Sequence, residues 1–420
     1  MFDSNWYPRI SYADKIPVLY PDSANLAVEK LNFLSNKIEN PNLLYKDIDP
    51  DTLVIRTNRL EELKKDILST EENTAVKALY LDKITEELER VQLYRSVLDK
   101  DTEQFFAATA RVFGNPKQSI WQEILTRLQT RKNYSETKTP QLYHLISHYR
   151  FDHKTTSDKI IRTPSPSDIS NLQKGLFALF PFLQLDTKHD ELEASQIVEI
   201  FNQALINIGA EGWSSELADG SRTAICVLNR KKTVQVPKAR KVNAQELTKL
   251  IAHEICTHVY RSTVAEKSPL QLLRFGLDHY LMTEEGIATT NEQILSGKFK
   301  DFSGDDKYFA IGLVHGLDGI KRDFRAVYEI MREYYFLKFP SKDPEYIQEK
   351  AWNLCVRIFR GTPPAHKGLC YTKDIIYREG NIKIWQLLIE NPAMYPHLFL
   401  GKYDPTNLTH IAALTELRLL

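Results

Sequence analysis

Only four cysteines occur in 420 residues, Cys226, Cys256, Cys355 and Cys370, and no two form a C-x-x-C pair. That scatter describes free thiols in a reducing compartment rather than a disulfide framework, so the chain is read as cytoplasmic. Charge of one sign is missing too: Lys plus Arg and Asp plus Glu stand at 55 each. No global field therefore favours nucleic acid or an anionic membrane, and neither is expected as a partner. Long apolar runs are absent; the longest, 176–185, is broken by Pro181 and is too short to span a bilayer. Residues 1–20 lack a basic segment followed by an apolar core, so no secretory signal is read there. No repeat period is evident. With 42% hydrophobic residues and only 16 Gly and 19 Pro, what remains is a well-filled globular chain of one large domain or two smaller ones.

Residues 24–133 carry a helical pattern. Leu26, Val28, Leu31, Leu34 and Ile38 form one stripe, and 75–98 form a longer, charge-laced helix. The stretch 149–168, with Pro164 and Pro166 among Ser and Thr, breaks the periodicity and reads as a linker or surface loop. The division is accordingly 1–150 as an N-terminal helical layer and 151–420 as a catalytic domain, unless the two form one integrated domain. After a helix over 191–208, the runs 213–217, 223–228 and 233–236 read as a small antiparallel sheet leading into the next helix. The fold class is α+β, mainly helical, with a zincin-like core in which this sheet precedes a metal-binding helix.

That helix contains His253-Glu254-Ile255-Cys256-Thr257-His258. In the familiar H-E-x-x-H motif the histidines are separated by about 40° around an α-helix and reach one metal, while the Glu polarises a bound water. Here the second His falls at i+5, an offset of about 140° in a regular α-helix, which would send the rings to different faces. One wide turn with i to i+5 hydrogen bonding restores the shared face, so the spacing predicts a π-bulge or unwound turn between Glu254 and His258. Leu247, Leu250, Ile251, Ile255 and Val259 supply the buried side of the helix. A third ligand is sought in Thr283-Glu284-Glu285-Gly286-Ile287-Ala288. Thr283 is read as the cap of a helix whose first turn carries both acids, and adjacent residues diverge enough that one of the two glutamates faces the metal.

The segments 253–261 (HEICTHVYR), 283–288 (TEEGIA) followed by Asn291-Glu292, Phe359-Arg360-Gly361 and the K-D-x-x-Y run Lys373 to Tyr377 together resemble the microtubule-associated tyrosine carboxypeptidases and their bacterial relatives. The resemblance implies Zn2+ held by His253, His258 and Glu285, with Glu254 as the base that activates water. It also implies removal of a C-terminal aromatic residue from a peptide or protein tail. Cys256 departs from the pattern, standing where relatives often have Gly. No long low-complexity tail is present, unlike the extended leaders that help the animal relatives reach microtubules, which argues against a tubulin substrate.

A carboxypeptidase needs a cation for the terminal carboxylate. Arg222, Arg357, Arg360 and Lys373 are the candidates by proximity to these segments, and Tyr280, His279 and His315 are candidates for the oxyanion donor. Two readings compete: a zinc endopeptidase or aminopeptidase on the same machinery, and a non-catalytic module in which metal staples two helices. A second histidine group, His144, His148 and His153, lacks a neighbouring Glu and reads as exposed helix histidines.

Overall fold

The computed structural model describes residues 1–11, 19–149, 161–184, 191–218 and 224–420. Helices dominate. The two longest, Pro50–Thr70 and Thr74–Asp99, pack side by side, each opened by an Asp or Asn whose side chain accepts from the first-turn amides. Of the expected stripe, Leu26, Leu34 and Ile38 pack half-buried against the core, whereas Val28 and Leu31 are exposed; in the helix Ser23–Leu34 the residue that buries fully is Phe33, under the Arg325 guanidinium 3.6 Å away. Two aromatics of another helix, Phe324 and Tyr328, meet Phe33 edge-on. That pocket, which the helix's own periodicity does not encode, sets the phase.

The division at residue 150 crosses the packing. One core joins Phe33 and Trp121 to Ile255, Trp352 and Trp385. A second joins Leu63 and Tyr80 to Leu273, Tyr403 and Leu414. Most of the stretch read as a linker, 150–160, lies outside the described residues, and its end opens the helix Pro166–Leu179 through a Ser165–Asp168 capping box.

The strands are short. β1 (Leu192–Glu193) pairs antiparallel with β5 (Lys241–Val242). β3 (Cys226–Leu228) pairs antiparallel with β4 (Thr233–Pro237), as the turn at Asn229 to Lys232 requires. β2 (Ser214–Ala218) adds to the other side of β4 and runs parallel to it, so the three-stranded sheet is mixed. The helix Ala194–Asn207 covers β2, and β3 lies against the helix that follows the sheet. Among the described residues no helix is long and apolar enough to cross a membrane.

That following helix is continuous in three parts: Ala244–Leu250 as α, Ile251–Val259 as π, and Tyr260–Glu266 as α. It packs on the helix Tyr280–Ser296, which in turn crosses the helix Ile375–Glu390 with almost no space between backbones. A Cβ added at Gly286 would stand 2.4 Å from the Gly380 carbonyl oxygen, and one at Gly380 would stand 1.9 Å from that of Met282. Only two glycines permit this approach. Replacing Gly380 with Ala should lower unfolding free energy by about 3 kcal/mol, since backbone on both sides blocks relaxation; a chemical denaturation curve that overlays the wild type would show the crossing to be looser than this.

Candidate metal centre

The wide turn has a visible cause. Thr257 is buried, and its Oγ1 donates to the carbonyl of Ala252, five residues back, at 2.8 Å. Oγ1 in turn accepts from Asn291 Nδ2 at 2.9 Å, and Asn291 Oδ1 accepts from the Tyr395 hydroxyl at 2.8 Å. This buried chain ties the widened segment to the helix Tyr280–Ser296. The π turn expected from the i+5 spacing thus extends from Ile251 to Val259, and the rings of His253 and His258 come to 5.0 Å between centroids.

Donor atoms of His253, Glu254 and His258 all lie within 4.8 Å of one another. Glu285 Oε2 meets this trio at His253 Nε2, 3.7 Å away. Two donors about 2.1 Å from one tetrahedral zinc would be about 3.4 Å apart, so that separation suits a shared ion. Each imidazole donates its other nitrogen to a carboxylate: His253 Nδ1 to Glu292 Oε1 at 2.5 Å, and His258 Nδ1 to Glu284 Oε1 at 2.9 Å. In the neutral imidazoles, the form a metal takes, such bonds fix the tautomer that leaves the Nε2 lone pairs for the centre. Glu284 is anchored from behind by the fully buried Arg261, whose Nη2 donates to the Tyr403 carbonyl at 3.0 Å.

The charges follow this arrangement. Burial opposes a charged His253, yet the Glu292 hydrogen bond and the surrounding carboxylates outweigh it and hold the imidazole up to about 9. Burial likewise works against Glu284, but the Arg261 charge and the His258 bond bring it down to about 2. Glu254 has no such partner, and burial lifts it above the ordinary carboxylate range, the direction that makes a better proton acceptor.

Some expected roles change. The helix carrying the acids begins at Tyr280, so Glu284 and Glu285 sit in its second turn; Thr283 Oγ1 donates to the Tyr280 carbonyl and caps nothing. Cys256 belongs to the hydrophobic core, where burial pushes its thiol well up. Of the oxyanion candidates, His279 occupies the left-handed N-cap (φ 51°), Tyr280 lies beside buried Lys83, and His315 packs on Phe106 with Nε2 lacking a partner among the described residues. None joins the trio. His144 and His148 stack on an exposed helix face at 4.1 Å, and His153 lies outside the described residues.

The cationic candidates divide. Arg222 lies outside the described residues. Arg357 grips Asp374 with two bonds, Nε to Oδ2 at 2.6 Å and Nη2 to Oδ1 at 2.8 Å, and Nη2 also donates to the Tyr377 hydroxyl at 3.3 Å. Arg360 is buried over Tyr371, with Nη2 3.7 Å from the same Asp374 carboxylate. Lys373 is lowered to about 8 by burial and by Arg360. Lys307, which sequence reading passed over, rests its ammonium 3.7 Å above the Tyr377 ring centre.

The chain matches the family described as microtubule-associated tyrosine carboxypeptidase over residues 171–303 and 313–420. Most of the chain, and every element of the centre, lies in those segments. The chain belongs to the microtubule-associated tyrosine carboxypeptidase family. No individual curated protein matches it. Within this family frame the match leaves out 304–312, a stretch that includes Lys307.

The Thr257 bond is the local device on which the centre rests. Changing Thr257 to Val removes the acceptor for Asn291 and the i to i−5 donor while keeping the shape. A loss of about 1–3 kcal/mol in stability is expected, together with weaker metal uptake; unchanged thermal denaturation and metal content would remove Thr257 from this role.

Proposed function

We propose that the protein is a zinc-dependent carboxypeptidase that removes a C-terminal aromatic residue from a peptide or protein tail. The observation that carries the reading is the convergence of His253, Glu254 and His258 on one face of the π turn, with Glu285 beside them. His253, His258 and Glu285 would hold Zn2+, since the donor set of two imidazoles and one carboxylate suits a catalytic zinc that keeps an open position. Bound there, zinc supplies Lewis acidity and a water of lowered pKa.

The chain's own residues do the rest. Glu254 takes the water proton on its carboxylate and passes it to the leaving amine. Tyr377 is a fitting donor to the developing oxyanion: Arg357 donates to its oxygen, which leaves the phenol's own proton to give, and burial and the Glu285 charge hold it protonated. The core is zincin-like in that the small sheet leads into the metal helix. β3 pairs with β4 alone among the described strands, so its outer edge can receive an extended peptide.

The aromatic preference comes from the family description, which names a tyrosine carboxypeptidase. Nothing in the centre requires a tubulin tail, and neither nucleic acid nor a membrane is needed as a partner. Four free cysteines suit a cytoplasmic setting.

Two measurements test this reading. Purified protein should carry about one zinc, lost in His253→Ala, His258→Ala and Glu285→Ala but kept in Glu254→Gln, which should lose several orders of magnitude in turnover. Full zinc retention in all three alanine variants would refute the ligand set, and an active Gln variant would move the base elsewhere. Separately, mass spectrometry of a peptide ending in Tyr should show loss of that one residue. Internal cuts would assign an endopeptidase, release from the amino end an aminopeptidase, and zinc retention without cleavage a metal-stapled binding module.

A further inference from the structure

Buried lysines in this chain are treated in two ways. Lys83 is sealed in the core with Glu86 at 2.7 Å and Glu87 at 3.0 Å. Lys307 and Lys373 are lowered by burial as well, yet neither ammonium has a carboxylate within 4.0 Å or a hydrogen bond among the described residues. An ammonium without an anion is costly wherever water is scarce, as at Lys402, which is enclosed in the fold and lowered to about 8 by burial; Lys307 and Lys373 differ in being partly open to solvent and in gathering about one carboxylate.

The nearby carboxylates are already occupied. Asp374 accepts two bonds from Arg357 and has Arg360 at 3.7 Å. Asp306 accepts from the Tyr335 hydroxyl at 2.8 Å. Four cations, Lys307, Arg357, Arg360 and Lys373, therefore surround the single carboxylate of Asp374, and the surplus positive charge belongs to the two lysines. Both remain partly accessible, as do Tyr377 and Glu285. Lys307 stands 3.7 Å above the ring of Tyr377, Lys373 lies on the turn that leads into the same helix, and that helix meets the one carrying Glu285 through the Gly380–Gly286 backbone contact, which places both lysines on the Glu285 side of the centre.

Chain geometry sets the distance at which a terminal carboxylate must be received. In an exopeptidase it trails the scissile carbonyl by one residue, about 3.8 Å along the chain. Its receptor must be adjacent to the metal, cationic, partly open and free of internal anions. Arg357 fails the last condition. We propose that the ammonium groups of Lys307 and Lys373 together bind the free α-carboxylate of the substrate's last residue, while Arg357, locked on Asp374, positions Tyr377 and the Lys373 turn. This rests on the carboxypeptidase reading but can fail without it.

The test uses zinc-loaded full-length protein carrying Glu254→Gln, so that peptide is bound and not turned over, and calorimetry with a decapeptide ending in Tyr as its free acid and as its amide. The acid should bind at least about tenfold more tightly than the amide. Adding Lys307→Gln or Lys373→Gln should raise the acid's Kd by about tenfold each, toward that of the amide, and leave the amide's Kd in place. Lys373→Arg, which keeps the charge, should retain most of the preference. Equal affinity for acid and amide in the parent protein, an undiminished preference in both Gln variants, or a parallel loss for acid and amide would each overturn the proposal. A lysine-dependent preference in a protein whose Glu254 form cleaves no peptide would uphold this site and defeat the carboxypeptidase reading instead.

Discussion

The hydrogen bond from Thr257 Oγ1 to the Ala252 carbonyl is the constraint from which the centre follows. A regular helix would carry His258 about 140° away from His253, and no adjustment of side-chain rotamers closes such a gap. The π turn has poorer intrinsic geometry than the α-helix, so it persists only where surrounding contacts over-determine it. Here they do. Asn291 and Tyr395 extend the Thr257 bond into a buried relay, and the relay passes through the same helix that carries Glu284, Glu285 and Glu292. The turn is thereby widened by the element that supplies its carboxylates.

Polarity across the cleft is divided. Behind the histidines stand Glu284 and Glu292, with Arg261 balancing the first. Across from them Lys307, Arg357, Arg360 and Lys373 share Asp374. A negative shell favours a bound cation and raises the basicity of its ligands, and a positive shell favours an anionic chain end. The acids share the helix Tyr280–Ser296, while the cations come from Asp305–His315, Pro344–Ile358 and the segments at 360 and 373, and this separation keeps the two groups from neutralising each other.

What was legible in the sequence was what spacing alone determines. The i+5 histidines imposed the wide turn because both are on one element, and adjacent glutamates had to diverge because they are adjacent. Glu284 does turn to His258 and Arg261 while Glu285 approaches His253. The strands before the helix of His253 and His258 were legible for the same local reason, whereas the parallel pairing of β2 with β4 was not, since it depends on which edge of the hairpin the helix Ala194–Asn207 covers. Thr283 looked like a cap because the helix start at Tyr280 has no capping side chain to announce it. Val28 and Leu31 fitted a stripe that tertiary packing rotated away. Lys307 had no signal at all: a lone lysine becomes notable only when folding leaves it without an anion.

The Gly286–Gly380 crossing joins these two halves of the problem. Gly286 follows Glu285 directly, and Gly380 lies three residues beyond Tyr377 and seven beyond Lys373. Backbone contact at that crossing therefore registers Glu285 against the cationic segment with no flexible side chain in between. For an enzyme that counts one residue from a chain end, the distance between the reacting centre and the group that reads the end has to be held to a fraction of a residue's length. Side-chain packing relaxes under load, but two glycine backbones in contact have almost nothing to yield. On the proposed reading the crossing is the ruler of the site, and the glycines answer to a distance in the substrate as much as to the fold.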